Sequence, residues 1–208
     1  MYLPKHFEEK DPDVLFNFIR EHSFGLLITA KKGVPQATHL PFLLKVGEKT
    51  KLLGHMAKAN KQWKQFSDMD SALVVFQGSH SYVSPAWYET FGVPTWNYLT
   101  VHVYGRPSIV STDQAAEDIL AAQVSKYEAS VDSSWIPEYP AKQMAAIVVF
   151  EIEITDIKGK FKLNQNRPEV DQRNVMGRLS ALGSDDATGV ADRMQKNLED
   201  DSSDDLLK

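Results

Sequence analysis

The sequence contains no cysteine. Disulfides, thiolate metal ligands, iron–sulfur ligation and cysteine nucleophiles are therefore excluded, and the composition suits a reducing compartment, so a cytoplasmic location is expected. No apolar run approaches the roughly 18 residues that a membrane helix needs, and no membrane partner is expected. The opening stretch MYLPKHFEEKD is charged and has no apolar centre, so no signal peptide is expected. Basic charge is in deficit: Lys and Arg number 23 against 28 Asp and Glu, a formal net charge of −5. Nucleic-acid readers usually carry a basic face; here part of the acid is local, in EDDSSDDLLK, and the rest is close to neutral. There is no GxSxG elbow, no Walker loop and no GxGxxG after a strand. The six histidines (His6, His22, His39, His55, His80, His102) form no HExxH or HxH pair, and no metal is expected.

What is present in unusual density is aromatic surface. SPAWYETFGVPTWNY, residues 84–98, holds Trp87, Tyr88, Phe91, Trp96 and Tyr98, stiffened by Pro85 and Pro94. Such rings have an apolar body and, in Trp and Tyr, a polar tip. A loop folded over the core and a wall for a planar ligand both fit this composition.

DPDVLFNFIREHSF reads as a first helix, with Asp11 as N-cap, Pro12 at the first helical position and Val14, Leu15, Phe18 and Ile19 on one stripe. Strands are expected at 24–30, 35–46, 51–57 and 71–78, with turns in KKGVP and VGEKT. A short helix capped by Asn60 covers 60–66, and a long strand region covers 94–110. Thr112 caps a helix over about 113–129. A last strand region covers 145–163, and two short helices, divided by Gly183 and Ser184, follow. Antiparallel strands at short spacing with inserted helices predict a mainly β, α+β fold, a small barrel rather than a parallel sheet.

Two stretches carry chemistry. GHMAKANKQW (54–63) runs from a strand into a helix start, where backbone N–H groups, Lys58 and a hydrogen bond from His55 would suit a phosphate; a plain strand–turn–helix with a solvated lysine fits equally. KGKFKLNQNR (158–167) alternates Lys158, Lys160 and Lys162 on one strand face, the pattern of a solvated edge strand. The run Asn164, Gln165, Asn166, Arg167 after it suits a heteroaromatic edge or a phosphate.

MYLPKHF, GHMAKANKQW, YVSPAWY, VPTWNYLTVHVYGRP and KFKLNQNRP, in this order, resemble the PaiB-type FMN-binding negative transcriptional regulators, from Met1 to about Leu198. The resemblance implies an antiparallel split β-barrel related to pyridoxamine-phosphate oxidases, a homodimer, and FMN in a groove at the subunit interface. It implies an FMN-binding split barrel over 1–165 and a C-terminal helical segment over 166–199 packed on it; the acidic run over 200–208 reads by its composition as a disordered tail. By resemblance, His55, Met56, Ala57, Lys58 and Asn60 contact the FMN phosphate and ribityl chain. Thr38, His39, Leu40 and Pro41 run beside the isoalloxazine, and Thr95, Trp96 and Asn97 reach it from the partner subunit. Lys162, Gln165, Asn166 and Arg167 complete the pocket or its mouth. The sequence departs from the family pattern at Lys61, where proline is common; that touches helix entry, not the contacts.

Three functions follow as alternatives: an FMN-holding repressor, a flavin-dependent oxidoreductase or reductase acting on a small molecule, and a haem-binding split barrel with His6 or His39 as axial ligand. No residue reads as an obligatory acid or base; His102 and Tyr82 are only candidates. DNA enters through the family's regulatory role and not through charge, because the second C-terminal helix opens with Asp185 and Asp186, which repel phosphates.

Overall fold

Asp11 and Pro12 open the first helix as their chemistry dictates. In a computed structural model that describes residues 1–129, 131, 135–136, 138 and 140–205, α1 spans Pro12–Glu21. Asp11 Oδ1 accepts from the backbone N–H of Asp13 at 2.8 Å and of Val14 at 3.4 Å, the N-cap arrangement. Leu15, Phe18 and Ile19 are buried along one face.

The strands are β1 (Glu8–Glu9), β2 (Phe24–Lys31), β3 (Val34–Pro41), β4 (Leu43–Lys45), β5 (Lys51–Ala57), β6 (Ala72–Val83), β7 (Thr95–Ile109) and β8 (Ile147–Lys162). Their order is β3-β2-β6-β7-β8-β5-β4, with β1 paired antiparallel to β8. The other helices are α2 (Asp113–Glu128), α3 (Ala141–Met144), α4 (Glu169–Leu182) and α5 (Asp185–Asp205). The fold is mainly β with α, as the strand spacing indicates. Three details differ from the expected elements. The 35–46 strand breaks at Phe42, whose N–H turns to Ser23 O at 2.8 Å, so β3 pairs with β2 while β4 pairs with β5. The short helix after β5 is a 3₁₀ helix, Lys61–Asp68. And α5 runs on to Asp205, into the stretch expected to be a disordered tail; residues 206–208 lie outside those described.

The β2–β3 turn is legible residue by residue. Lys32 and Gly33 both have positive φ, 52° and 78°, and close a hairpin at the pair Lys31↔Val34. Two successive positive φ values match the right-handed strand twist, and glycine holds one of them without strain.

The chain divides into two compact units, each assembled from separated segments. One comprises Phe16–Phe76 and His102–Ile157. Its core is a ring cluster: Phe42 lies edge-on to Phe76 and Phe150 at 5.8 and 6.3 Å, and Phe66 to Phe150 at 5.2 Å. Leu27, Leu52, Val74 and Ile152 fill the space around it, all fully buried. The other unit comprises Met1–Leu15, Gln77–Val101 and Lys158–Lys208. There α4 packs on α5, and Val175, Leu179, Val190 and Met194 are buried. Gly183, at φ 68°, ends α4 in the left-handed conformation that stops a helix.

Candidate functional site

In the unit containing β2 to β5, the loop after β5 is organised by polar side chains. Asn60 Oδ1 accepts from Gln62 N at 3.0 Å, and Asn60 Nδ2 donates to Thr38 Oγ1 at 3.0 Å. Gln62 is fully buried. Its Nε2 faces Leu27 O, Thr29 Oγ1 and Gln36 O at 3.1–3.2 Å, and its Oε1 accepts from the Thr38 hydroxyl at 2.5 Å. Thr38 and Asn60, placed by the resemblance beside the isoalloxazine and at the phosphate and ribityl chain respectively, are directly bonded.

The helix start differs from the expected anion seat. Lys58 N donates to Ala146 O at 2.8 Å, Asn60 N to Ala57 O at 2.9 Å, and Gln62 N to Asn60. Those three N–H groups are spent inside the chain. The ammonium of Lys58 is the group left over: Lys58 is exposed, and its side chain has no partner among the described residues. It borders a cleft of about 550 Å³ together with Trp63, Thr112, Asp113, Glu117 and Val149. Trp63 is held by its indole N–H, which donates to Lys58 O at 3.2 Å.

His55 Nδ1 lies 2.9 Å from Gln123 Oε1 of α2. His39 is exposed and stacks on Phe24 at 5.9 Å, with an interplanar angle of 22°. Ala57 is exposed, while Leu40 and Met56 are buried, so their side chains serve the core and only their backbone can face a ligand. Ser23 and Tyr127 share a hydrogen bond of 2.9 Å, which ties α2 to the start of β2.

In the other unit the alternating lysines do not form a solvated stripe. Lys160 is buried. Its ammonium donates to Tyr2 O at 3.1 Å and lies 5.4 Å from the Tyr2 ring and 5.5 Å from the Tyr98 ring. Lys162 donates to Trp96 O at 2.6 Å and to Thr95 Oγ1, and sits 5.8 Å from the Phe7 ring. Burial, with Lys160 beside it, pulls the Lys162 ammonium below its ordinary pKa. The N-terminal arm explains the change: β1 pairs Glu8 with Lys160 and Glu9 with Gly159, covering the edge that alternation alone leaves open.

The polar run after β8 turns inward to the aromatic loop. Asn164, at φ 64°, donates to Tyr88 OH at 3.1 Å. The Arg167 guanidinium lies 4.5 Å from the Tyr88 ring and donates to Phe91 O at 2.7 Å. Asp171, fully buried, accepts from Glu89 N at 2.8 Å, Thr90 N at 3.3 Å and the Thr90 hydroxyl. The Thr90 hydrogen bond first, and the backbone N–H groups after it, hold the Asp171 carboxyl below the usual carboxylate range. Gln165 closes its own turn, with Oε1 on Leu163 N and Nε2 on Phe161 O. Asn97 is buried, with Oδ1 lacking a partner among the described residues. The aromatic stretch is therefore pinned from below yet leaves Phe91 and Trp96 exposed, at 91% and 51%.

Of the residues singled out in the sequence, Thr95, Trp96 and Lys162 lie together within one chain, and so do Thr38 and Asn60. Each of these groups is defined within its own unit. Gln62, within GHMAKANKQW, joins the Thr38–Asn60 group, while Gln123 bonds His55 and Asp171 bonds Glu89 and Thr90; the last two lie in no motif. A faint signal exists for Gln123, a polar residue three positions after Leu120 on a helix. Among the described residues no cluster of three or more His, Asp or Glu could hold a metal ion. No helix among them is long and apolar enough to cross a membrane.

The sequence profile of the family described as "Putative FMN-binding domain" matches residues 1–156. The chain belongs to this FMN-binding family. Within the FMN-binding family, the chain is 38% identical over 204 residues to Protease synthase and sporulation protein PAI 2 of Bacillus subtilis, covering 95% of this chain and 98% of the relative. The backbone is similar to the flavocytochrome Anf3 of Azotobacter vinelandii, at TM-score 0.61 and 15% identity over 77% of this chain and 72% of that one. It is also similar to an FAD and heme binding protein of Mycobacterium smegmatis, at TM-score 0.61 and 13% identity over 79% and 78%. At such identities the likeness concerns the fold, the antiparallel split barrel that the motifs imply. The PaiB-type resemblance stands, and the protein is a flavin-binding split-barrel protein.

Proposed function

We propose that the protein is an FMN-binding negative transcriptional regulator of PaiB type, working as a homodimer with flavin at the subunit seam. The observation that carries the flavin site is the ammonium of Lys58, without a partner among the described residues, beside a loop braced by Asn60, Thr38 and Gln62. A braced loop with a cation that has no partner among the described residues suits a phosphate monoester: fixed geometry, and a charge not already neutralised. The N–H groups of Lys58, Asn60 and Gln62 are used internally, so the Lys58 ammonium supplies an attraction that those three cannot. The exposed His39–Phe24 stack offers a flat surface on the same unit. The exposed Trp96, with Thr95 held by Lys162, is the segment that a second copy would contribute. FMN, when bound, supplies the redox chemistry; the chain's part is to bind and orient it.

The regulatory role is supported by the similarity to the Bacillus subtilis protein, whose name refers to protease synthesis and sporulation. Direct groove reading by α5 is disfavoured by charge, since its first turn carries Asp185 and Asp186, which repel phosphates. Regulation through a surface formed by the dimer, or through a protein partner, fits better. The test is the visible spectrum of purified protein, sedimentation with and without FMN, and an FMN titration. A colourless monomer indifferent to FMN would overturn the proposal. Rapid reduction of the bound flavin by NADH or NADPH would instead favour a reductase.

A further inference from the structure

Gln123 is a buried amide whose orientation is decided by its neighbours. It is 3% exposed. One end meets two backbone carbonyls, Pro41 O at 3.1 Å and Leu53 O at 3.4 Å. Carbonyls only accept, so that end must be the NH₂ group; turning the amide over would set lone pairs against lone pairs. The other end, the amide oxygen, is then the atom 2.9 Å from His55 Nδ1. An amide oxygen cannot donate, so Nδ1 carries the proton. A neutral imidazole has one N–H, and here it is committed to Gln123. Nε2 is left as a bare acceptor with no partner among the described residues.

This reverses the role that the sequence gives His55. A neutral His55 cannot donate to a phosphate, which itself only accepts. It can accept from a donor. The donors of a flavin are its ribityl hydroxyls and the ring N3–H. We propose that Gln123 is a positioning residue of the flavin site: it fixes the tautomer and plane of His55 so that Nε2 receives a hydrogen bond from a flavin donor. The proposal rests on the flavin site described under Proposed function, but the tautomer itself does not. Gln123 reaches β5 from α2, 68 residues away in sequence from His55, and its two carbonyl contacts hold it against both strands that flank the site.

The experiment has two arms. The first is ¹⁵N NMR of the His55 imidazole in the flavin-free protein at alkaline pH. Wild type shows protonated Nδ1 and unprotonated Nε2, and Gln123→Leu shows a mixture of tautomers. The second is titration of both proteins with FMN, riboflavin and lumiflavin. Gln123→Leu weakens FMN and riboflavin by a common factor of about ten, the loss expected for one poorly oriented hydrogen bond. An equal loss for lumiflavin assigns the donor to N3–H, and an unchanged lumiflavin affinity assigns it to the ribityl chain. Protonated Nε2 in wild type overturns the proposal even if Gln123→Leu fails to fold. A loss confined to FMN overturns it too, because the contact would then be to phosphate, and so does unchanged affinity for all three. If wild type binds no flavin, the flavin site itself fails, while the NMR arm still reports the tautomer.

Discussion

Replacing Gln62 by leucine should be among the more costly single changes in this chain, although the residue bears no charge. The side chain is fully buried at the foot of the 3₁₀ helix. Its NH₂ group serves Leu27 O, Thr29 Oγ1 and Gln36 O, and its oxygen serves the Thr38 hydroxyl. With two hydrogens and one acceptor in play, about three effective hydrogen bonds are lost, at about 1 kcal/mol net each. Partners that stay buried without a replacement add about 1–3 kcal/mol apiece, and the leucine offsets part of this by about 1.5–3 kcal/mol of apolar burial. A net loss of about 3 kcal/mol follows. For a chain of this size that is a fall in Tm of roughly 6–12 °C. Thr29 retains Gln65 and Thr38 retains Asn60, so the network loosens rather than collapses. Thermal and urea unfolding of Gln62→Leu, with exposed Lys61→Ala as control, would measure this. FMN affinity should fall as well, because Thr38 loses the Gln62 side chain that anchors it. A stability loss under about 1 kcal/mol, equal to that of the control, would refute the assignment of Gln62 as the brace of this loop.

Lys58→Ala should leave Tm within a degree or two, since the ammonium has no partner among the described residues, yet weaken FMN at least tenfold more than riboflavin in paired titrations. Gly105→Ala should destabilise strongly: an added Cβ would stand 2.4 Å from Glu153 O, a backbone atom that cannot yield like a side chain, and chemical denaturation would show it. His22 is held below its ordinary pKa by burial, opposed in part by Glu21. The folded state therefore favours neutral His22, and its contribution is present above about pH 6.5 and is lost as pH falls below that value. Unfolding free energy measured from pH 7.5 to 5 should decline, and His22→Gln should flatten the decline.

The polar loop of this protein shows where reading residues in order succeeds and where it stops. Asp11, Asn60, Thr112 and Gly183 act as the caps and stops that their side chains dictate, because capping is settled within a few residues of chain. The alternation of strands against short turns was enough for an α+β fold, and Lys32-Gly33 for a hairpin. The alternating lysines mislead for the opposite reason. Period-two spacing places Lys158, Lys160 and Lys162 on one face, but what that face meets depends on β1, which arrives from residues far away in sequence. The break at Phe42 is similar: its apolar neighbours read as one strand, and only the choice between β2 and β5 as partners divides them.

The aromatic run at 84–98 marks the same boundary. Its composition announces a surface with flat, amphipathic side chains. Which rings are pinned and which are presented follows from Asn164, Arg167 and Asp171, all more than seventy residues downstream. The sequence by itself determined the capping, the turn chemistry, the strand-rich class and the family, because each rests on local stereochemistry or on motif order. Tertiary structure alone decided that Lys58 stays free while Lys160 and Lys162 are consumed, and that Gln123 faces His55. Those outcomes depend on which distant groups compete for the same hydrogen bonds, and no spacing along the chain encodes that competition.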